Sequence, residues 1–150
     1  MGEGMRKLTH EEIVARQKKR RQRPLIPLSV ILSDIRSLHN VGSIFRTADG
    51  VGAEKLWLCG ITGCPPHPQI RKTSLGSEEK VPWDYKADPA PLISSLRDRG
   101  YQIVFLEQIQ DSLPYDQYSP QDPVCLVVGN EIQGIPENLL PYCDQSIEID

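Results

Sequence analysis

Leu38-His39-Asn40-Val41-Gly42-Ser43-Ile44-Phe45-Arg46-Thr47-Ala48-Asp49 is the stretch that decides how this 150-residue chain is read. It starts where an apolar run, Leu28 to Ile35, stops. Val, Ile and Leu dominate Ser29 to Ile35, which predicts a buried strand. From Val41 to about Gly50 the pattern predicts a helix, with Gly50 and Gly52 as C-terminal stops. A strand that feeds a helix through Asn and Gly puts polar side chains and free backbone N–H groups at the carboxyl edge of a sheet. That edge is where open α/β folds bind their ligands. Arg46 follows a helical turn later and is expected to face the same edge.

Upstream, Thr9-His10-Glu11-Glu12 has the pattern of a capping box, with Glu12 three residues after Thr9. It predicts a helix to about Arg23, ended by Pro24. Downstream, Leu56 to Cys59 predicts a second strand. Residues 60–82, with Pro65, Pro66, Pro68 and Pro82, predict a long polar loop. Pro91 to Arg99 predicts a helix with Pro at its start and Gly100 at its end. Strands are expected at Tyr101–Leu106, Val124–Val128 and Ser146–Ile149, with a loop over 111–122 and a short helix over Pro136–Leu140. Strands alternating with helices, each strand apolar on both faces, predict an α/β fold: a parallel sheet flanked by helices. Two units follow, a basic helical arm over 1–24 and an α/β domain over 25–150.

Charge divides along the same boundary. Residues 1–24 carry eight Lys/Arg and three acids, a balance of +5; the remainder carries nine and seventeen, a balance of −8. A basic arm on an acidic body suits a polyanionic partner, and equally a solvated tail. Lys18, Lys19, Arg20 and Arg21 are the densest cluster. No apolar run approaches the ~20 residues of a membrane span, and the start lacks an apolar signal core. A cytoplasmic protein is expected. Cys59, Cys64, Cys125 and Cys143 form no C-x-x-C pair and have no histidines at zinc spacing, so four reduced thiols and no metal are expected. His10, His39 and His67 lack a carboxylate or nucleophile neighbour in sequence and read as loop or surface residues.

No G-x-G-x-x-G follows the first strand and no Walker loop is present, against dinucleotide or P-loop binding. No G-x-S-x-G elbow appears. A second cluster, Leu126-Val127-Val128-Gly129-Asn130-Glu131-Ile132-Gln133-Gly134-Ile135-Pro136, again follows an apolar strand. Gly129 is expected to allow close approach of a ligand, and Gly134 to take a tight turn. Glu131 falls in that turn, at the carboxyl edge. Arg71-Lys72-Thr73-Ser74 offers charge and hydroxyls to phosphate, or is an ordinary polar loop. Trp57, Trp83 and Tyr85 read as core or dimer-packing residues ahead of base-stacking ones.

The two clusters together resemble the SpoU (TrmH-like) branch of the SPOUT RNA methyltransferases, over about residues 28–150. Asn40, Gly42 and Arg46 match its first motif; Gly129, Glu131 and Gly134 match its second. Lys72-Thr73-Ser74-Leu75-Gly76-Ser77-Glu78 looks like its connecting segment. The resemblance implies a SPOUT-type sheet closed by a trefoil knot, a homodimer, bound S-adenosyl-L-methionine and methylation of an RNA ribose 2′-hydroxyl, tRNA ahead of rRNA. It implies Arg46, Asn40 and Glu131 as catalytic residues and cofactor contacts near Leu106, Gly129 and Ile149. RNA contacts are expected from Lys18, Lys19, Arg20, Arg21, Arg71 and Lys72. The family's third motif is missing, because the chain stops at Ile149-Asp150 where that motif begins. The expectation is therefore a domain lacking its C-terminal end, with an incomplete knot. A non-catalytic RNA-binding remnant is the alternative.

Overall fold

In a computed structural model, residues 9–12, 25–107, 112–114, 119 and 121–148 are described. The elements in chain order are β1 (Ile26–Ser33), α1 (Leu38–Val51), β2 (Ala53–Cys59), α2 (Pro68–Ser74), a 3-10 turn (Ser77–Glu79), β3 (Trp83–Lys86), α3 (Pro89–Asp98), β4 (Gln102–Leu106), β5 (Leu113–Pro114), β6 (Val124–Val128), a second 3-10 turn (Glu137–Tyr142) and β7 (Gln145–Glu148). The strands form one sheet in the order β3-β2-β1-β6-β4-β7-β5, and every ladder is parallel.

Alternation along β1 feeds two cores. Val30 and Leu32 join Val41 and Phe45 of α1, Leu56, Leu58 and Ile70 on one face. Ile31 joins Ile93 and Leu96 of α3, Ile103, Phe105, Cys125, Val127 and Leu139 on the other. Strands this apolar on both sides need helices on both sides, which forces the parallel arrangement. The chain runs outward through β1, β2 and β3, then crosses to β4 beyond β6. Its direction reverses between β1 and β6. That reversal is the switch point where open sheets part at their carboxyl ends, and both motifs begin there, one after β1 and one after β6.

Several boundaries differ from expectation, each for a local reason. The helix expected from Val41 begins at Leu38, because Ser37 Oγ accepts from the Asn40 N–H at 3.1 Å; Gly52, at φ 76°, closes it. Residues 60–82 are not one loop: they hold α2 and a 3-10 turn, and β3 follows directly. The prolines hid them, yet Pro68 sits in the first turn, where its missing N–H costs nothing. His67 Nδ1 caps that turn, accepting from the Gln69 N–H at 3.0 Å. The same chemistry starts α3 at Pro89 rather than Pro91, with Asp88 accepting from the Ala90 N–H at 3.0 Å. Residues 111–122, expected as loop, include the two-residue β5, and the helix expected at Pro136 is the 3-10 turn 137–142, which contains Pro141. Thr9 and Glu12 make the reciprocal capping-box bonds, at 3.4 and 3.2 Å. The rest of the expected arm helix, with Lys18, Lys19, Arg20 and Arg21, lies outside the described residues.

Gly42 has a packing role. A Cβ there would overlap Thr73 Oγ1 and the Ile70 carbonyl of α2. Thr73 Oγ1 also donates to the His39 carbonyl at 2.8 Å, so α2 is stapled to the first turn of α1. Gly42→Ala is expected to lower stability by about 1–3 kcal/mol through overpacking, read by urea unfolding. A change below about 0.5 kcal/mol, the usual range for surface substitutions, would refute this account of the helix contact.

Candidate functional site

The loop after β6 is shaped by Asn130. Its Oδ1 accepts from the N–H groups of Ile132 and Gln133, both at 2.9 Å, an Asx turn. Its Nδ2 donates to the Asp34 carbonyl at 2.8 Å, tying the loop to the end of β1. Asn130 and Gly134 exchange backbone bonds at 3.1 and 2.9 Å, and Gly134 takes φ 70°, the tight turn expected there. Gly129 serves this loop itself. A Cβ on it would lie 2.5 Å from the Gly134 and Ile135 backbone, so the close approach expected for a ligand is made by the chain's own main chain.

Glu131 reaches from this turn to the start of α1. Its carboxylate accepts from the N–H groups of Arg36 at 3.0 Å and Ser37 at 2.8 Å, and from Asn40 Nδ2 at 3.3 Å. The two motifs thus meet at the β1/β6 switch point. Desolvation raises the Glu131 pKa, but the N–H donors of Arg36, Ser37 and Glu131 itself, with the Asn40 amide, outweigh it and hold the net value below the usual carboxylate range. These bonds hold Asn40 and the loop, and none of them reaches Arg46. Asn40 does not cap α1, a place Ser37 takes. Arg46 is exposed and has no hydrogen-bond or ion-pair partner among the described residues.

The β1 end is braced from its other side. Asp34 adopts φ 57°, a conformation that Asp tolerates better than most residues. Its Oδ1 accepts from the Ile61 N–H at 2.9 Å. Buried Thr62 donates to the Leu32 carbonyl at 3.1 Å and accepts from the Ile35 N–H at 3.0 Å. Asp34, Thr62 and Asn130 were not singled out from sequence. Only Asn130 left a signal, as the Asn of a Gly-Asn-Glu turn.

The positions expected to hold the cofactor stand on neighbouring strands. Leu106 registers with Val128, just before Gly129, and with Ile147 on its other side; Ile149 lies outside the described residues. Glu107, next after Leu106, links all three strand ends. Its N–H donates to the Ile147 carbonyl at 2.9 Å, its carbonyl accepts from Ser146 Oγ at 2.9 Å, and its carboxylate accepts from the Ile135 N–H at 2.7 Å. The ends of β4 and β7 and the loop after β6 thus meet around one carboxylate, that of Glu107. Burial pushes the thiols of Cys59 and Cys125 up to about 12, so neither is a nucleophile at neutral pH. Arg71 and Lys72 are exposed on α2, and Arg71 pairs with Glu79 at 3.4 Å.

A parallel sheet whose two loops are hydrogen-bonded to each other at its switch point defines an α/β domain, and comparison identifies which. The SpoU rRNA Methylase family model matches residues 27–150, and the chain belongs to that family. It is 28% identical over 137 residues to the tRNA (guanosine(18)-2′-O)-methyltransferase of Aquifex aeolicus, covering 87% of this chain and 60% of that protein. It is similar in structure to the A. aeolicus TrmH/SpoU tRNA modifying enzyme, with a TM-score of 0.79 and 26% identity over 93% of this chain and 71% of the other. It is likewise similar to the AdoMet-bound rRNA methyltransferase of Sinorhizobium meliloti, with a TM-score of 0.75 and 29% identity over 87% and 50%. The chain spans less than two thirds of the length of the A. aeolicus methyltransferase.

The Glu131 clamp has a pH signature. A carboxylate with a depressed folded-state pKa contributes stability that is complete above its ordinary value of 4.5 and is lost as pH falls through the lower folded value. Wild type is therefore expected to lose stability relative to Glu131→Gln as pH drops below 4.5. Denaturation curves of both proteins across that range measure it, and parallel curves would show that the clamp does not stabilise the folded state.

Proposed function

We propose that this chain carries the methyl-transfer site of an S-adenosyl-L-methionine-dependent RNA ribose 2′-O-methyltransferase acting on tRNA. The observation that carries the reading is the Glu131–Asn40–Ser37 junction at the switch point, with Arg46, unpaired among the described residues, six residues beyond Asn40 on the same helix. Family membership and the tRNA 2′-O-methyltransferase relative support it.

S-adenosyl-L-methionine, when bound, supplies a methyl group on a sulfonium whose displacement leaves a neutral thioether. Main-chain groups around Leu106 and Gly129, braced by Glu107, would hold it. What remains for the side chains is alignment and care of the hydroxyl proton. Glu131 is a poor base: its pKa is lowered and its oxygens already take three donors. It orients Asn40 instead. With Asn40 Nδ2 committed to Glu131, Asn40 Oδ1 is left to accept from the ribose hydroxyl. Arg46 keeps its charge in proteins. It grips phosphate and hydroxyl oxygen, stabilising the negative charge that develops as the O–CH3 bond forms and the hydroxyl proton passes to solvent water.

Arg71, Lys72 and the basic arm supply sequence-independent contacts to phosphate. The reading includes a homodimer. Ile61 and Ile132, 65% and 82% exposed, follow β2 and β6 on the same edge as the motifs, and a second copy would cover them.

Arg46→Ala is expected to lower kcat/KM for tRNA methylation by about 100-fold or more, the scale of losing one preorganised charge stabiliser. Calorimetric binding of S-adenosyl-L-methionine should stay unchanged. Unimpaired methylation by the variant would sink the assignment of Arg46.

A further inference from the structure

α3 covers the middle of its side of the sheet, over β1, β4 and β6, and leaves the β2–β3 edge partly open. A cleft of about 450 Å³ lies there, lined by Trp57, Lys86, Asp88, Leu92, Ser95 and Arg99 among others. That volume is within the range of small-molecule sites, roughly 300–1,000 Å³. Leu92, Ser95 and Arg99 recur at helical spacing, so one flank of α3 forms a wall. Register pairs Trp57 with Asp84 and Cys59 with Lys86, and alternation turns all four, with Lys55, to the α3 side.

Three of the nine Lys/Arg outside the arm meet here: Lys55, Lys86 and Arg99. None is in an ion pair among the described residues. Lys55 Nζ stands over the Trp57 ring at 4.7 Å and the Arg99 guanidinium over the Tyr101 ring at 5.5 Å, contacts that are weak where water reaches them. The neighbouring acids are each engaged. Asp88 caps α3, accepting from the Ala90 N–H at 3.0 Å, and Asp84 accepts from the Tyr85 N–H at 2.8 Å. Glu54 accepts from the hydroxyls of Ser29 and Tyr101. The cations are the groups left to take a ligand, and their charge suits an anion. Trp57 Nε1 is shut off from solvent, so the ring offers carbon surface, which packs on a flat group without reading its edges.

The cleft opens onto the edge where both motifs lie. Lys86 ends β3, and its carbonyl accepts from the Gly60 N–H, just after β2, at 3.3 Å. Asp34, just after β1, reaches the next N–H, that of Ile61, at 2.9 Å. Two strand spacings, roughly 10 Å, separate the ends of β1 and β3. We propose that this cleft holds a single-stranded stretch of the RNA outside the methylated nucleotide, which rests on the RNA-methyltransferase reading. A base of any identity would pack on Trp57, and Lys86 and Arg99 would take the phosphates on either side. Lys55 would swing from the ring to phosphate as the base arrives. Sites of this make, aromatic carbon beside cations, hold single strands with little sequence preference. The chain's own basic arm is repelled by the same cations. An acidic peptide would satisfy them, but it sets no flat group beside each charge for Trp57.

Fluorescence anisotropy of labelled oligo(U) with the intact chain, over a salt series, tests the phosphate contacts. Lys86→Ala and Arg99→Ala are each expected to weaken binding severalfold. Each should also flatten the slope of log affinity against log salt by about 0.7, the share of one phosphate on a single strand. Lys80→Ala, exposed and outside the cleft, should leave the slope unchanged. Trp57 emission, followed in a Trp83→Phe background, should be quenched by oligo(U) and oligo(A) alike and not by polyglutamate. The anisotropy series leaves the core intact, so it decides the matter if the Trp83→Phe protein fails to fold. Wild-type slopes in both cleft variants, or an equal loss in Lys80→Ala, would overturn the proposal. Quenching by polyglutamate as strong as by RNA would overturn RNA as the occupant. Wild type that binds RNA without these losses in the variants refutes the cleft alone; wild type that binds no RNA counts against the RNA-methyltransferase reading as well.

Discussion

Glu131 is the constraint on which the site depends. It sits 94 residues from Ser37, yet its carboxylate takes the N–H groups of both Arg36 and Ser37. Those N–H groups lie just ahead of α1, at a helix entrance where backbone donors need partners and where negative charge is favoured. Without Glu131 they would need water, and the β6 loop would lose its hold on the helix that carries Asn40 and Arg46. The neighbouring bond from Asn130 to the Asp34 carbonyl ties the same loop to the turn just upstream. Two adjacent residues thus lock one loop to both sides of the strand-to-helix turn.

A loop held this way also needs space, and the glycines provide it. Gly134 leaves room where a Cβ would strike the Glu107 carboxylate, and Gly129 where a Cβ would strike the loop's own backbone. Gly42 does the same between α1 and α2. All three belong to the motif pattern, yet none is spaced to leave a hole for a ligand. They let main chain pack on main chain. Preorganisation here comes from close backbone contact, and that is why the motif glycines sit beside, rather than inside, the place where chemistry would occur.

The layered parallel sheet was legible because β1, β4 and β6 are short apolar runs bounded by turn residues. The pairing of the two motifs was legible because each follows such a strand. What escaped was local or long-range. α2 and β3 were hidden by prolines that mark loops in composition but start helices in practice. Edge strand β3, Trp83-Asp84-Tyr85-Lys86, has little apolar character because a strand at the rim is covered on fewer sides. The side chains of Thr62 and Asp34 act across the β1–β2 gap, and a polar residue 27 positions from its partner carries no periodic signal. That Glu131 meets Asn40, 91 residues away, depends on the path of the loop after β6, which spacing does not encode.

Charge placement adds a further constraint on any polyanionic ligand. The body outside the arm has nine cations against seventeen acids, so its mean field repels phosphate. Of those nine, Arg97 is tied to Asp144 and Arg71 to Glu79, while Lys55 lies over the Trp57 ring. Among the described residues, Arg46 and Lys72 are the cations without a partner on the two helices that pack against each other through Gly42 and Thr73. The +5 arm is the one strongly basic segment in the sequence. Orientation would come from where the body is least repulsive, and affinity from the arm. On the function proposed above, capture and alignment would be separate, and the grip on RNA would weaken steeply with salt while the site geometry would not.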